Sequence, residues 1–322
     1  MNSLLDARWS HQSVLSSEPP KQYLRFNQEG LPDMRDNECN ARASIIIPAH
    51  NEASVISRCL NAIFSTADPG EFEVLVVCNG CSDDSADIVR SSFPLARLVE
   101  TSVASKVNAL NLGDSAATQY PRIYLDADLA VTSDSLRELL KPLRSGEALA
   151  ACGQMHIDTA HSSYFVKSFY SVWQKNSYLE GGKFGGLFAV SRIGHRRIAP
   201  FANVTNDDEM VRRSFCPSDR AYVPTCSFLM TAPQTLHGLI KIRTRAIRGT
   251  VEIEKLGYEN TDGSAWKRFG RFFARIVRKP AVWLSLPTYL FVSGFIRAKV
   301  AVSNTDYNGI WERDDSSREW VQ

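Results

Sequence analysis

The 322-residue sequence has no excess of either charge: 37 Lys and Arg stand against 35 Asp and Glu, a net charge of +2. No global field therefore marks it as a nucleic-acid binder, and basic residues matter only where they cluster. Its seven cysteines form no paired framework, and Cys59, Cys78 and Cys152 lie in apolar segments, a usage that points to a reducing compartment. The six histidines show no metal-ligand spacing. Cys78 and Cys81 form a Cys-x-x-Cys, but no second pair accompanies them to complete a zinc site. No internal repeat is visible, and no apolar core follows a basic start at the N-terminus, so no secretory signal is read there. What is present, 44% hydrophobic and 22% charged residues, is the composition of a globular α/β protein large enough to bury a sizeable core.

Residues 1–42 are polar and turn-rich and read as an extension, with Trp9, Tyr23 and Phe26 as its only docking candidates. From Ala43 the chain alternates. An apolar strand over 44–47, stopped by Pro48, precedes a helix whose Val55, Ile56, Cys59, Leu60 and Ile63 recur at three- and four-residue steps. Strands over 73–78 and 97–100 follow, the first leading through a turn to a helix that Ser82 or Asp83 can cap. A helix over 105–117 leads to a fourth strand, 123–125; another helix (133–141), a strand over 148–153 and an aromatic-faced helix (162–176) come next. Strands alternating with helices at this spacing predict a mostly parallel central sheet covered on both faces.

The fourth strand ends on Asp126-Ala127-Asp128. Residues i and i+2 of an extended chain share a face, and the carboxyl ends of such strands line the crevice where open α/β sheets bind ligands. Two hard oxygen ligands there can share one divalent cation and the phosphates it carries. An Asp-x-Asp alone also arises by chance, so its neighbours in the chain decide.

Taken together these segments resemble a family 2 glycosyltransferase with the GT-A fold, a Rossmann-like α/β architecture, over about 43–251. The family's Pro-x-x-Asn-Glu turn is matched by Pro48, Asn51 and Glu52, with His50 inside it. Its nucleotide-holding acidic loop is matched by Asn79, Gly80 and Asp83. Its Gly-Lys-x-x-Ala-Leu-Asn-x-Gly helix start is matched by Lys106, Ala109, Leu110, Asn111 and Gly113. The Asp-x-Asp is Asp126 and Asp128, and the catalytic Glu-Asp is similar to the acidic run Asp207-Asp208. Asn79 stands where the family has an Asp that accepts from the base; an amide oxygen still accepts from a uracil N–H, which keeps UDP as first choice. The stretch 242–249 keeps Arg243, Arg245 and Arg248 but has Ala246 where processive members carry an acceptor-stacking Trp, which favours one sugar per encounter.

The resemblance implies an inverting, metal-dependent transfer from a nucleotide-diphosphate sugar to a hydroxyl of a lipid-linked or cell-surface glycan acceptor. Asp128, with Asp126, would hold Mg²⁺ or Mn²⁺ across the diphosphate, and Arg243, Arg245 and Arg248 are further phosphate clamps. A solvated helix face explains each of these arginines equally well. Asp207 and Asp208 are both candidates for the general base: counting on to Met210 and Arg213 selects Asp207, whereas equating Asp-Asp with Glu-Asp selects Asp208, the position favoured. Competing readings are a sugar-phosphate nucleotidyltransferase, which should carry a Gly-rich basic loop where Ala49-His50-Asn51-Glu52 stands, and a non-catalytic glycan-binding protein of the same fold.

Beyond the 43–255 domain, residues 256–322 read as membrane-proximal. In 264–279 the residues Trp266, Phe269, Phe273, Ile276 and Val277 form one helical stripe amid Lys267, Arg268, Arg271, Arg275 and Arg278, the pattern of a helix on an anionic membrane surface. Residues 280–296 carry no charge over 17 positions and contain Pro287, at the lower edge of the about 20 that a span needs. This predicts a cytoplasmic enzyme, peripheral at the inner face of the membrane, with a monotopic or short transmembrane segment.

Overall fold

The computed structural model describes residues 43–175 and 182–302, leaving out the side chains of Ala265 and Arg268. The expected N-terminal extension, Gly181 and the polar C-terminal stretch lie outside the described residues. Seven strands form one sheet: β1 (Ala43–Ala49), β2 (Phe72–Asn79), β3 (Ala96–Thr101), β4 (Arg122–Leu125), β5 (Ala150–Asp158), β6 (Leu187–Val190) and β7 (Arg220–Thr231), in the order β3-β2-β1-β4-β6-β5-β7. All neighbours run parallel except β6, which is antiparallel to both β4 and β5. The sheet is mostly parallel, and helices pack on it.

β1 is buried at every position, as a central strand covered on both faces must be. It does not stop at Pro48. The missing N–H is tolerated because the β4 ladder along β1 ends at Ile46, leaving Pro48 paired only with Val77 of β2. Helices α1 (Ile56–Phe64), α2 (Ser85–Ser92) and α4 (Ser133–Arg144) share one core with the inward side chains of β1, β2 and β4. On the other side α3 (Lys106–Ala116) approaches so closely that a Cβ on Gly113 would stand 2.5 Å from Ile46 Cγ2. Ser105 caps α3 by accepting from Asn108 N–H at 3.3 Å.

The second half of the chain completes the sheet with β5, β6 and β7 and carries α5 (Tyr164–Trp173), α6 (Arg192–Ile198), α7 (Asp207–Arg213) and α8 (Leu236–Lys255). Neither β6 nor β7 follows from the sequence pattern. β6 has only four residues, and β7 contains Pro224, which is accommodated where residues 224–226 leave the ladder with β5.

After α8 come α9 (Ala265–Val277), a 3₁₀ turn (Pro280–Ser285) and α10 (Leu286–Val302). Trp266, Phe269, Phe273 and Val277 of α9 are exposed, Trp266 by 83%, whereas Ile276 turns into the interior. Val292 and Ile296 of α10 pack with Phe169 and Tyr170 of α5, while Leu290, Phe291 and Phe295 face outward, Phe291 by 71%. The helical run Pro280–Val302 spans 23 residues with a mean hydropathy of 1.2, long and apolar enough to cross a membrane. It is longer than the charge-free segment because the helix continues through Arg297 and Lys299.

Candidate active site

The carboxyl ends of β1, β2 and β4 face one crevice, and two loops are latched there. After β1, Asn51 adopts φ 53°, a left-handed conformation that Asn tolerates better than most residues, and its Oδ1 accepts from Ser82 N–H at 2.7 Å. Asp83 spends one oxygen on Ala53 N–H (3.0 Å) and the other on the Ser85 hydroxyl (2.6 Å) and N–H (3.1 Å). The Ser85 hydroxyl in turn accepts from Glu52 N–H at 2.7 Å. Asp83 thus ties the loops after β1 and β2 together, and α2 begins at Ser85 with Asp84, not Ser82 or Asp83, at its cap position. Gly80, at φ 59°, brings its backbone against Ala104, where a Cβ would meet Ala104 Cβ at 2.8 Å.

Asn79 is fully buried at the end of β2. Its Nδ2 donates to Ala49 O at 2.8 Å, and His50 Nδ1 lies 2.6 Å from Asn79 O, an acceptor that requires the proton on Nδ1. Asn79 Oδ1 has no partner, an orphaned acceptor of the kind a base N–H or a water satisfies. Beside it, Cys78, Gly80, Cys81, Asp83, Glu100 and Thr101 line an open cavity of about 440 Å³. Cys81 Sγ donates to Ala49 O at 3.4 Å, and the neighbouring thiols of Cys78 and Cys81 act on each other, holding Cys81 below the usual thiol range and Cys78 above it.

β4 ends at Leu125, and the chain then turns, with Leu129 N–H donating to Asp126 O at 3.1 Å. Asp126 and Asp128 are therefore presented by a turn rather than by the extended strand that their spacing predicts. Buried Ala127 anchors this turn in the core, and Arg58 holds it from below, donating to Asp128 O at 2.8 Å. Gly186 completes the support: its carbonyl accepts from Asp126 N–H at 2.8 Å, and its φ is 82°. A Cβ there would stand 2.9 Å from Asp126 Oδ2.

Lys106, first residue of α3, joins this turn to the acidic run. Its Nζ lies 2.8 Å from Asp126 Oδ1 and 3.2 Å from Asp207 Oδ2. Burial opposes the charge on Lys106, but Asp126, Asp207 and Asp208 outweigh it and raise its pKa. Asp207 and Asp208 open α7, a helix start where carboxylates are favoured by the exposed N–H groups. Burial and the neighbouring Asp207 push the Asp208 carboxyl up to about 6, against the pull of Lys183 and Lys106. Behind the doublet, buried Glu209 pairs with Arg212 (2.6 Å) and Arg213 (2.7 Å), and Arg212 and Arg220 share Asp262. This ion network fixes α7 to the strands and to the segment after α8.

Asp126, Asp207, Asp208 and Lys106 therefore meet in one crevice. Asn111 has a different position: its amide donates to Phe201 O at 3.1 Å and accepts from Phe201 N–H at 2.8 Å, clamping the segment before α7. Pro48 is buried inside the sheet. Arg243, Arg245 and Arg248 lie half-buried on α8, whose Ala246 carbonyl and Thr250 hydroxyl accept from Asn206, the residue preceding Asp207. Lys183 and Trp173 were not singled out by the sequence, yet Lys183 Nζ and Arg243 Cζ lie 5.2 Å and 5.1 Å from the centre of the Trp173 ring.

Asp126 and Asp128 offer the hard oxygens that Mg²⁺ or Mn²⁺ prefers. Among the described residues no third His, Cys, Asp or Glu clusters with them. An ion there would complete its shell with diphosphate oxygens and water, the usual arrangement for Mg²⁺ in phosphate sites.

Residues 44–200 match the family model described as Glycosyl transferase family 2. Two glycosyltransferases of Haloferax volcanii are similar in sequence: AglE is 37% identical over 90 residues, and AglD 30% identical over 118. These matches cover 26% and 34% of this chain and only 30% and 19% of those proteins. In structure the chain is similar to the mannosyltransferase PcManGT of Pyrobaculum calidifontis, solved with GDP-Man and Mn²⁺, with a TM-score of 0.55 and 22% identity over 83% of this chain and 76% of that one. It is also similar to glucosyl-3-phosphoglycerate synthase of Mycobacterium tuberculosis, solved with UDP, with a TM-score of 0.51 and 17% identity over 69% and 82% of the two chains. At these identities the structural likeness establishes the shared GT-A fold.

Proposed function

We propose that this chain, whose residues 44–200 match the model of glycosyl transferase family 2, transfers a sugar from a nucleotide-diphosphate sugar to an acceptor hydroxyl with inversion, one sugar per encounter. The observation that carries the proposal is Lys106, whose ammonium spans Asp126 and Asp207 and so sets the metal-side and base-side carboxylates across one crevice.

The donor's nucleotide would lie against the latched loops after β1 and β2. The orphaned Asn79 Oδ1 suits the N–H of uracil, which favours UDP. Asp126 and Asp128 would hold Mg²⁺ or Mn²⁺, which when bound neutralises charge on the departing diphosphate. Arg245 and Arg248 on α8 would assist with that charge. On the acceptor side a hydroxyl must lose its proton as it attacks. Asp208, with its carboxyl pushed up to about 6, has the basicity for this step, and Asp207 is the tether that holds the doublet to Lys106. A single attack from the face opposite the diphosphate inverts the anomeric carbon.

The exposed aromatics of α9, the basic Lys267 and Arg271 beside them, and the outward face of α10 support docking on an anionic bilayer. Each basic residue close to such a surface contributes about 1 kcal/mol. This favours a lipid-linked or cell-surface glycan acceptor at the inner face of the membrane.

The test is nucleotide release from UDP-, GDP- and TDP-sugars in the presence of detergent-extracted lipid, with Mn²⁺ and with EDTA. Release that needs the ion and discriminates among the bases supports the proposal. No release from any donor under either condition would end it.

A further inference from the structure

Two cations converge on one aromatic ring beside the base. Lys183 Nζ and Arg243 Cζ both lie over Trp173, at 5.2 Å and 5.1 Å. Trp173 is itself buried in the core that joins α5 to α10. Gly185 makes room for the ammonium: a Cβ there would stand 2.9 Å from Lys183 Cε and 3.1 Å from Nζ. Among the described residues neither cation lies within ion-pair distance of a carboxylate. Asp208, Glu209 and Asp126 all act on Lys183 electrostatically, Asp208 most strongly, so Lys183 faces the crevice that holds the acidic doublet.

A ring face stabilises a cation by about 0.5–2 kcal/mol, which does not remove the repulsion between two of them. Burial and Arg243 both disfavour the charge on Lys183. An arrangement of this kind gains most from a doubly charged anion. A guanidinium fork next to an ammonium is matched to the three oxygens of a phosphate monoester.

We propose that Lys183 and Arg243 hold a phosphate group on the acceptor while the acceptor's hydroxyl faces the Asp207–Asp208 doublet. This rests on the transfer proposed above and names its acceptor class: an alcohol that also carries a phosphate. The phosphate is a handle, not the nucleophile. α5, whose Trp173 carries the pair, is also the helix against which α10 packs, with Phe169 and Tyr289 ring centres 5.2 Å apart. A phosphate at a lipid surface and a soluble phosphate ester can both supply that chemistry.

The experiment uses the full chain. Glycerol 3-phosphate, inorganic phosphate and glycerol are titrated calorimetrically against wild type, Lys183→Gln, Arg243→Gln and Arg243→Lys, each with and without UDP and Mn²⁺. Wild type should bind both phosphates and not glycerol. The two Gln variants should bind glycerol 3-phosphate at least about tenfold more weakly, the loss expected of one charge-assisted contact. Arg243→Lys should keep more of the affinity than Arg243→Gln, and UDP affinity should stay unchanged in Lys183→Gln. No phosphate binding by wild type, or equal binding by the Gln variants, would overturn the proposal. A matching loss of UDP affinity would also do so, by assigning the pair to the donor. Failure of UDP, GDP and TDP to bind wild type would count against the transfer reading and leaves the phosphate titration decisive for this one. Sedimentation with phosphatidylcholine vesicles doped with phosphatidic acid separates the sources. Weaker pelleting of both Gln variants than of wild type selects the lipid phosphate, and equal pelleting alongside the loss of glycerol 3-phosphate binding selects the soluble ester.

Discussion

Lys106 and Asp207 meet across 3.2 Å although 100 residues of chain separate them, and the same ammonium lies 2.8 Å from Asp126. One cation thereby holds the first and second halves of the crevice in register.

Removing that cation should cost both stability and rate. Lys106→Met leaves buried Asp207 without its partner and sets it against Asp126. About 2–3 kcal/mol of stability should be lost, measured by urea unfolding. Turnover should fall about a hundredfold even where the protein is still folded. The raised Lys106 pKa keeps the ammonium charged across the neutral range, so the stabilisation is complete below its unfolded value and the loss should not vary between pH 6 and 9.

Asp128→Ala should abolish turnover with the fold intact. Its circular dichroism should match that of wild type, and the stabilisation of wild type by UDP with Mn²⁺ should vanish in the variant. Full activity in Asp128→Ala would refute the metal role.

The doublet predicts a pH signature. The base works deprotonated, so kcat/KM should fall below about pH 6, as an apparent value belonging to the Asp207–Asp208 pair. Asp208→Asn should lower the rate about a thousandfold, and Asp207→Asn should be merely impaired. Because folding raises the Asp208 pKa, the folded state binds that proton more tightly than the unfolded chain. Its charge therefore costs stability above about pH 6, and the cost disappears as pH falls. Asp208→Asn should accordingly raise the melting temperature at pH 7.5, raise it less at pH 4.5, and leave it unchanged only below the unfolded carboxyl value of 3.8. Normal rates in both variants would place the base elsewhere.

Gly186→Ala should act on the same turn from the opposite side. At φ 82° a Cβ costs about 1–2 kcal/mol, and here it would also press on Asp126 Oδ2. Thermal unfolding should show the first effect, and weaker Mn²⁺-dependent UDP binding the second.

Trp266→Ser with Phe269→Ser should release the protein from anionic vesicles while nucleotide binding stays at the wild-type level, because both rings point away from the body of the protein. Undiminished vesicle binding would exclude α9 as the membrane contact.

The first half of the fold was legible because its strands are apolar and its helices periodic: β1 to β4 and α1 to α4 fall close to where the pattern puts them. β6 was hidden by its four-residue length, and β7 by Pro224 and its half-exposed residues. The Asp-x-Asp was found by spacing, but a turn rather than a strand presents it, since hydrogen bonds to Gly186 and within 126–129 outweigh the extended preference. Motif matching marked Asn111 as a ligand contact, and the structure adds a folding role that the motif does not announce, since its amide both donates to and accepts from Phe201. Trp173 lies in the core, on the aromatic face that the pattern of 162–176 announces, and its ring also carries two cations that no local pattern reveals.

The reversed direction of β6 has a consequence for how such an enzyme can diversify. Because Leu187 at the start of β6 pairs with Leu125 at the end of β4, residues 182–186 bring Lys183 and Gly186 together to that end of the sheet. Insertions or exchanges there would change the surroundings of Asp126 and of the two cations on Trp173, while the latched loops after β1 and β2, anchored on other strands, stay as they are.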